Sequence, residues 1–287
     1  MEKINKVAIN NLETIKQNNI TQLMATTIIQ EALSKYRLTR GDIENNWIEF
    51  INYHDDHKQC IGCTGLDKCP KASKGYVYQI ESDQNRNVKL IATPCRFGKI
   101  LQQQYAILSN VLVSNIDKKI ILTRAKDIDL SQNEKLKEIY VAFNQNINAG
   151  RKKGMFIKAP MSKEKLLVLG SIARTYALDH KIGFINFPNF IIDLKGRMAS
   201  NDYLDSLNSI KTVEYLFLDD IGNEYVTNWS RDEILFSIIA YRLQNDLVTY
   251  ISSEYDLKQL AKYYTIRSGD EYRVKSLIEK MKALCDT

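Results

Sequence analysis

Apolar positions recur with two different periods along this chain. Between about residues 7 and 54 the spacing is helical: Leu23, Thr27, Ile28 and Glu31 mark successive turns, and Ile43, Trp47 and Phe50 repeat the three- and four-residue interval. Two short strand-like runs follow, GYVYQIES and NVKLIATP, separated by Asp83, Gln84, Asn85 and Arg86, which predicts a hairpin with a polar turn. From Phe97 to about Asp117 the pattern reads as a helix and a connector. Then Leu136, Ile139, Tyr140, Phe143 and Ile147 trace one helical face, ended by Gly150 and the basic Arg151, Lys152 and Lys153.

The remainder alternates regularly. Strand-like GMFIKAP, KIGFINF, VEYLFLDD and LVTYISS are each followed by helical sequence, beginning near Ser162, running through about Lys211, resuming near Trp229, and closing the chain. Such βαβ alternation predicts an α/β fold with a mostly parallel sheet covered on both faces. The expected domains are a helical module over 1–104, a linker over 105–130 and the α/β domain over 131–287.

Composition narrows the class. At 287 residues the chain exceeds one ordinary core, and 44% hydrophobic content suits globular packing. No apolar run is long enough to cross a bilayer and the N-terminus lacks a secretory core, so a cytoplasmic protein without membrane contact is expected. A net charge of +6, from 40 basic against 34 acidic residues, permits a nucleic-acid partner without establishing one.

Four of the five cysteines fall in one region. Cys60 and Cys63 form a C-x2-C knuckle, Cys69 follows, and the hairpin returns the chain to Cys95. Four thiolates complete a tetrahedral structural Zn²⁺ site with no open position for a substrate water. His54 and His57 are alternative ligands from the preceding helix, although four cysteines already satisfy the metal. Cys285 reads as a free thiol on the last helix.

The strand GMFIKAP and the helix after it frame the place of a phosphate-binding loop, whose pattern is G-x-x-x-x-G-K-[ST]. Here the loop reads Ala159, Pro160, Met161, Ser162, Lys163, Glu164, Lys165, Leu166, and only the lysine matches. Pro160 removes an N–H, Glu164 brings a carboxylate towards an anion site, and Leu166 has no hydroxyl for Mg²⁺. Two like charges about 4 Å apart at an effective dielectric near 20 repel by roughly 4 kcal/mol, so ATP and Mg²⁺ are not expected to seat well. Asp219 and Asp220, ending an apolar strand, follow the Walker-B pattern; with Lys165 they are the candidate cofactor-binding residues.

Residues 213–256, with the DDIG-x-E and W-x-RDE elements, resemble the Walker-B to sensor-1 stretch of DnaI-type primosomal helicase loaders, and residues 154–173 align with that family's strand, P-loop and helix. The resemblance implies a P-loop AAA+-like parallel sheet with flanking helices, preceded by a small helical, zinc-binding N-terminal domain. It also implies docking on the replicative DNA helicase, with an initiator protein, single-stranded DNA and self-association as further partners. The family's intact loop, its sensor-1 asparagine (here Glu254) and two terminal-helix arginines (here Ser276 and Lys280) are changed, and Val77 stands where a histidine is expected. Asp219, Asp220 and Lys280 are thus vestigial catalytic positions, and the implied function is a loader or primosomal adaptor without efficient ATP hydrolysis. Lys165, Arg231 and Arg242 are candidate contacts to single-stranded DNA or protein; solvated helix surface is an equal reading for the two arginines. An active AAA+ ATPase loader and a zinc-dependent DNA-binding regulator are the alternatives.

Overall fold

The computed structural model describes residues 2–131, 133–148, 153–198 and 202–286, in two compact units, 1–102 and 103–287. Unit 1 holds four helices, α1 (Glu2–Met24), α2 (Thr27–Tyr36), α3 (Arg40–Asn45) and α4 (Trp47–Lys58), and a hairpin of β1 (Tyr76–Ser82) and β2 (Val88–Pro94). The predicted hairpin forms in antiparallel register from Tyr76 opposite Pro94 to Ser82 opposite Val88. Ile20, Leu23, Ile29, Ile43 and Phe50 meet Ile80 and Val88 in its core, so the helical stripe and one face of the hairpin bury each other. The end of α4 holds β1 in place: Tyr78 N–H donates to Asp56 at 3.0 Å and His57 Nε2–H donates to the Tyr78 carbonyl at 2.9 Å.

Helix α5 (Arg96–Ser109) carries the chain into unit 2. The segment expected as a linker then adds β3 (Val111–Ser114) to the sheet and packs α6 (Lys118–Ile121) on the body of the unit. A Cβ on Gly170 would lie 2.3 Å from the Ile120 carbonyl oxygen, so α6 approaches the helix over Lys163–Tyr176 too closely for any side chain there. Four residues of partly buried VLVS are too short for a periodic signal, which is why this strand was not legible in sequence.

The sheet continues with β4 (Gly154–Lys158), β5 (Ile182–Asn186), β6 (Tyr215–Asp219), β7 (Val248–Ser253) and the two-residue β8 (Cys285–Asp286), all parallel, in the order β3-β5-β6-β7-β4-β8. Helices α7 (Glu134–Asn148), α8 (Lys163–Tyr176), α9 (Phe187–Gly196), α10 (Asp202–Thr212), α11 (Phe236–Gln244), α12 (Leu257–Tyr264) and α13 (Glu271–Leu284) flank it, with a π-helical turn at Trp229–Leu235 before α11. The strand pleat sorts the core: Leu216, Leu218 and Ile251 face one layer, while Phe217 and Tyr250 stack 4.8 Å apart in the other. Cys285 is buried on β8, not helical, with its thiol donating to the Thr249 carbonyl. The helix stop expected at Gly150, Arg151 and Lys152 lies outside the described residues. This is the expected α/β fold, a parallel sheet with flanking helices.

Candidate functional site

The chain leaves β4, passes through α8, and re-enters the sheet at β5, beyond β7 and β6. That crossover sets the start of α8 over the carboxyl ends of β6 and β7, where open parallel sheets place their ligand crevice. Lys165, in the first turn of α8, is only 2% exposed. Its Nζ lies 3.0 Å from Asp219 Oδ1 and 3.8 Å from Asp220 Oδ1. The ammonium is off the hydrogen-bond angle, so the attraction is chiefly Coulombic.

The two carboxylates are held from their other sides. Ser252 Oγ donates to Asp219 Oδ1 at 2.6 Å, Asn186 Nδ2 donates to Asp219 Oδ2 at 3.3 Å, and Asn223 Nδ2 donates to Asp220 Oδ1 at 2.7 Å. Asp220 takes a left-handed backbone, φ 68°, which keeps its side chain buried beside Lys165. A non-glycine residue held there stores of order 1 kcal/mol or more, and aspartate tolerates it better than most.

The loop's backbone has a second internal anion. Glu254, just past the end of β7, accepts the Met161 N–H at 2.7 Å, and Ala159 N–H donates to the Ser253 carbonyl at 3.0 Å. Ser162 caps α8 by accepting the Lys165 N–H. Glu164 is exposed in the first turn, where a carboxylate suits the helix dipole, and Lys165 pairs with the aspartates instead. Lys158 ties the end of β4 to the start of α12, bonding Asp256 at 2.9 Å and Gln259 at 3.1 Å. The pairing of Glu254 with Met161 and the support from Ser252 and Asn186 join positions 33 to 93 residues apart, and no local pattern announces them.

Three proposed surface contacts are corrected. Lys165 is buried, as are Arg231 at 1% and Arg242 at 0% exposure, so neither a DNA contact nor a solvated helix face describes them. Arg231 grips Asp232 at 2.7 Å, Asp270 at 2.8 Å and the Tyr264 carbonyl at 2.8 Å, fastening the π-helical turn to the loop before α13. Its hydrogen bonds to Asp232 lead in holding its charge above the usual guanidinium range. Arg242 spends its donors on the carbonyls of Ile210, Lys211, Val213, Glu214 and Val248 and on Thr249 Oγ1. The glutamate of DDIG-x-E, Glu224, is also structural: it accepts Gly222 N–H at 2.8 Å and the Tyr264 hydroxyl at 2.7 Å. Amphipathic pattern reading places charges outside; the internal acceptors that allow these arginines inside come from other elements. Lys280 lies 5.7 Å from the Phe236 ring centroid.

In unit 1, Cys63 N–H closes the knuckle on the Cys60 carbonyl at 3.1 Å, and Arg96 donates to the Cys63 carbonyl at 2.8 Å, bringing the residue after Cys95 onto the knuckle. Gly98 N–H points at Cys95 Sγ, 3.5 Å away, and a Cβ on Gly98 would fall 2.0 Å from the Gly75 carbonyl oxygen. Among the described residues, Cys60, Cys63, Cys69 and Cys95 carry no disulfide, and no three cysteine, histidine or acidic side chains are gathered at metal-binding separation. His57 packs against the Tyr53 ring at a tilt and bonds the Tyr78 carbonyl, and His54 pairs with Asp55 at 3.0 Å.

No protein-family profile matches the chain. A curated relative does: the replicative helicase loader DnaI of Bacillus subtilis (strain 168) is 25% identical over 239 residues, which is 82% of this chain and 76% of that protein. The chain is thus similar to a DnaI-type helicase loader over most of its length. A solved DnaI structure, 25% identical, superposes with a TM-score of 0.53 over 61% of this chain and 95% of its own. A structure from Streptococcus pyogenes serotype M3, assigned to the primosome, shares the fold at 24% identity and a TM-score of 0.53, over 64% of this chain and 94% of its own.

Proposed function

We propose that the protein is a loader, or primosomal adaptor, of the replicative DNA helicase that works without ATP turnover. The loader role rests on the DnaI relationship. The independence from ATP rests on one observation: the lysine that would reach a β/γ-phosphate is buried against Asp219 and Asp220, the carboxylates that would orient Mg²⁺. The residues present do not suit a triphosphate. The loop has no glycine from 159 to 166, and Glu254 places a carboxylate on the Met161 N–H that an intact loop would offer to phosphate. The α/β unit then serves as a binding body rather than a motor.

Unit 1 is assigned the helicase contact, with Cys60, Cys63, Cys69 and Cys95 holding one structural Zn²⁺. Four thiols are a donor set of the right chemistry for that ion, and the closed knuckle with Arg96 fastened to it supports the assignment. Zinc would have to draw together thiols that do not yet stand at metal-binding separation. Bound there, zinc would supply a cross-link among loops too short to bury a core of their own. An initiator protein, single-stranded DNA and further copies of the chain are additional partners, and the setting is cytoplasmic; among the described residues no helix is long and apolar enough to cross a membrane.

Affinity capture of the replicative helicase by the full chain, with and without Mg·ATP, tests this reading. Capture unchanged by nucleotide, together with no heat of ATP binding in calorimetry, is the expected result. Failure to capture the helicase defeats the loader role, and capture that needs ATP turnover defeats the nucleotide independence.

A further inference from the structure

Helices α12 and α13 bury Leu260 and Tyr264, and Leu277 and Met281, in the core of unit 2. Their outer edges leave a groove of about 400 Å³ between them. Its narrow floor is apolar, built from Ala261 and from the outer edges of Leu257, Val274 and Ile278, which are otherwise buried in the same core. Its rims are basic: Lys258 and Lys262 on α12, Lys275 and Lys282 on α13, against only Glu271 and Glu279. Glu279 is already engaged by Lys275 at 4.0 Å. Among the described residues Lys258, Lys262 and Lys282 form no ion pair, although Lys258 and Lys262 stand at an i,i+4 spacing where like charges cost the helix stability. The groove is lined by none of Lys165, Asp219 and Asp220.

We propose that this groove docks an acidic amphipathic helix from a partner protein. Apolar side chains at i, i+3 or i+4, and i+7 of such a helix would lie along the floor, and its flanking carboxylates would meet lysines on both rims. The lysine stems extend the apolar surface while their ammonium groups stay in water, which suits a helix edge. A nucleic-acid strand fits less well. It would set phosphates beside Glu271 and Glu279, and the lining offers no aromatic ring for a base to stack on.

The test uses the full chain and a fluorescent helical peptide of about 14 residues, the length of α13, with leucines on one face and glutamates beside them. Saturable micromolar binding that weakens with rising salt is expected, as is loss of at least about tenfold in affinity when Lys258, Lys262 and Lys282 are together changed to Glu. The same peptide with lysine in place of glutamate should not bind. Circular dichroism checks that the triple variant is folded; if it is not, Ala261→Glu, which fills the floor, provides the second comparison and should also abolish binding. Equal binding of acidic and basic peptides, binding unaffected by the variants, or an oligo-dT strand competing for the same lysines overturns the proposal. The loader reading stands or falls separately, on helicase capture by the unaltered chain.

Discussion

Glu254 Oε1 accepts the backbone N–H of Met161 at 2.7 Å, across 93 residues of sequence. The sheet makes this contact by pairing β4 with β7, so that the loop after one strand meets the residue after the other. A side-chain carboxylate thereby occupies a donor that a phosphate would otherwise approach. Replacing Glu254 by Ala should lower the stability of unit 2 by about 1 kcal/mol, read from urea unfolding. It should leave ATP binding undetectable, since Lys165 stays committed to Asp219. Tight ATP binding by Glu254→Ala would show that the carboxylate alone had blocked the site.

Removing the ammonium of Lys165 leaves two aspartates buried without their counter-charge. Lys165→Ala is therefore expected to cost about 3–5 kcal/mol, far more than a solvent-facing lysine would. Adding Asp219→Asn should recover at least about 1 kcal/mol, because paired groups are not additive. A loss below 1 kcal/mol for the single variant, measured by denaturant titration, contradicts the buried ion pair.

Arg242 satisfies five carbonyls and one hydroxyl from inside the core. Lysine brings three donors on a single nitrogen and cannot reach them all. Arg242→Lys should destabilise unit 2 by about 2–4 kcal/mol through orphaned carbonyls. Conservative substitution at exposed Arg267 serves as the comparison and should change thermal unfolding little.

Burial pushes the Glu224 carboxyl above the usual carboxylate range, and the Tyr264 hydroxyl and neighbouring N–H groups offset this only in part. Between the unfolded and the raised folded value, the native chain holds more protons than the unfolded chain. The contribution to stability is thus fully present below the unfolded pKa and declines as pH rises through the folded one. Glu224→Gln should remove that decline from a stability-against-pH series, at the cost of one acceptor for two donors. A decline of unchanged size in the variant would assign it to another group.

The zinc assignment makes its own forecast. The purified chain should carry one equivalent of zinc by elemental analysis, lost in a Cys60→Ser, Cys63→Ser variant. Chelation should loosen residues from about 55 to 96 in hydrogen exchange while exchange in unit 2 stays unchanged. A metal-free chain with native exchange throughout would remove zinc from the description.

The order of elements, the hairpin, four of the six sheet strands and the placement of Lys165, Asp219 and Asp220 at loop and strand ends were legible in sequence. Each rests on local periodicity or on a short motif, and local rules act over a few residues. Tertiary structure alone decided the rest. Strand order put β4 beside β7 and so joined Glu254 to Met161 and Lys165 to the aspartates. It turned Arg231 and Arg242 from presumed surface cations into internal fasteners, because a buried guanidinium is tolerated only where carbonyls and carboxylates from distant segments converge on it. It also drew residues 111–114 and 285–286 into the sheet, where pairing partners rather than intrinsic pattern make a strand.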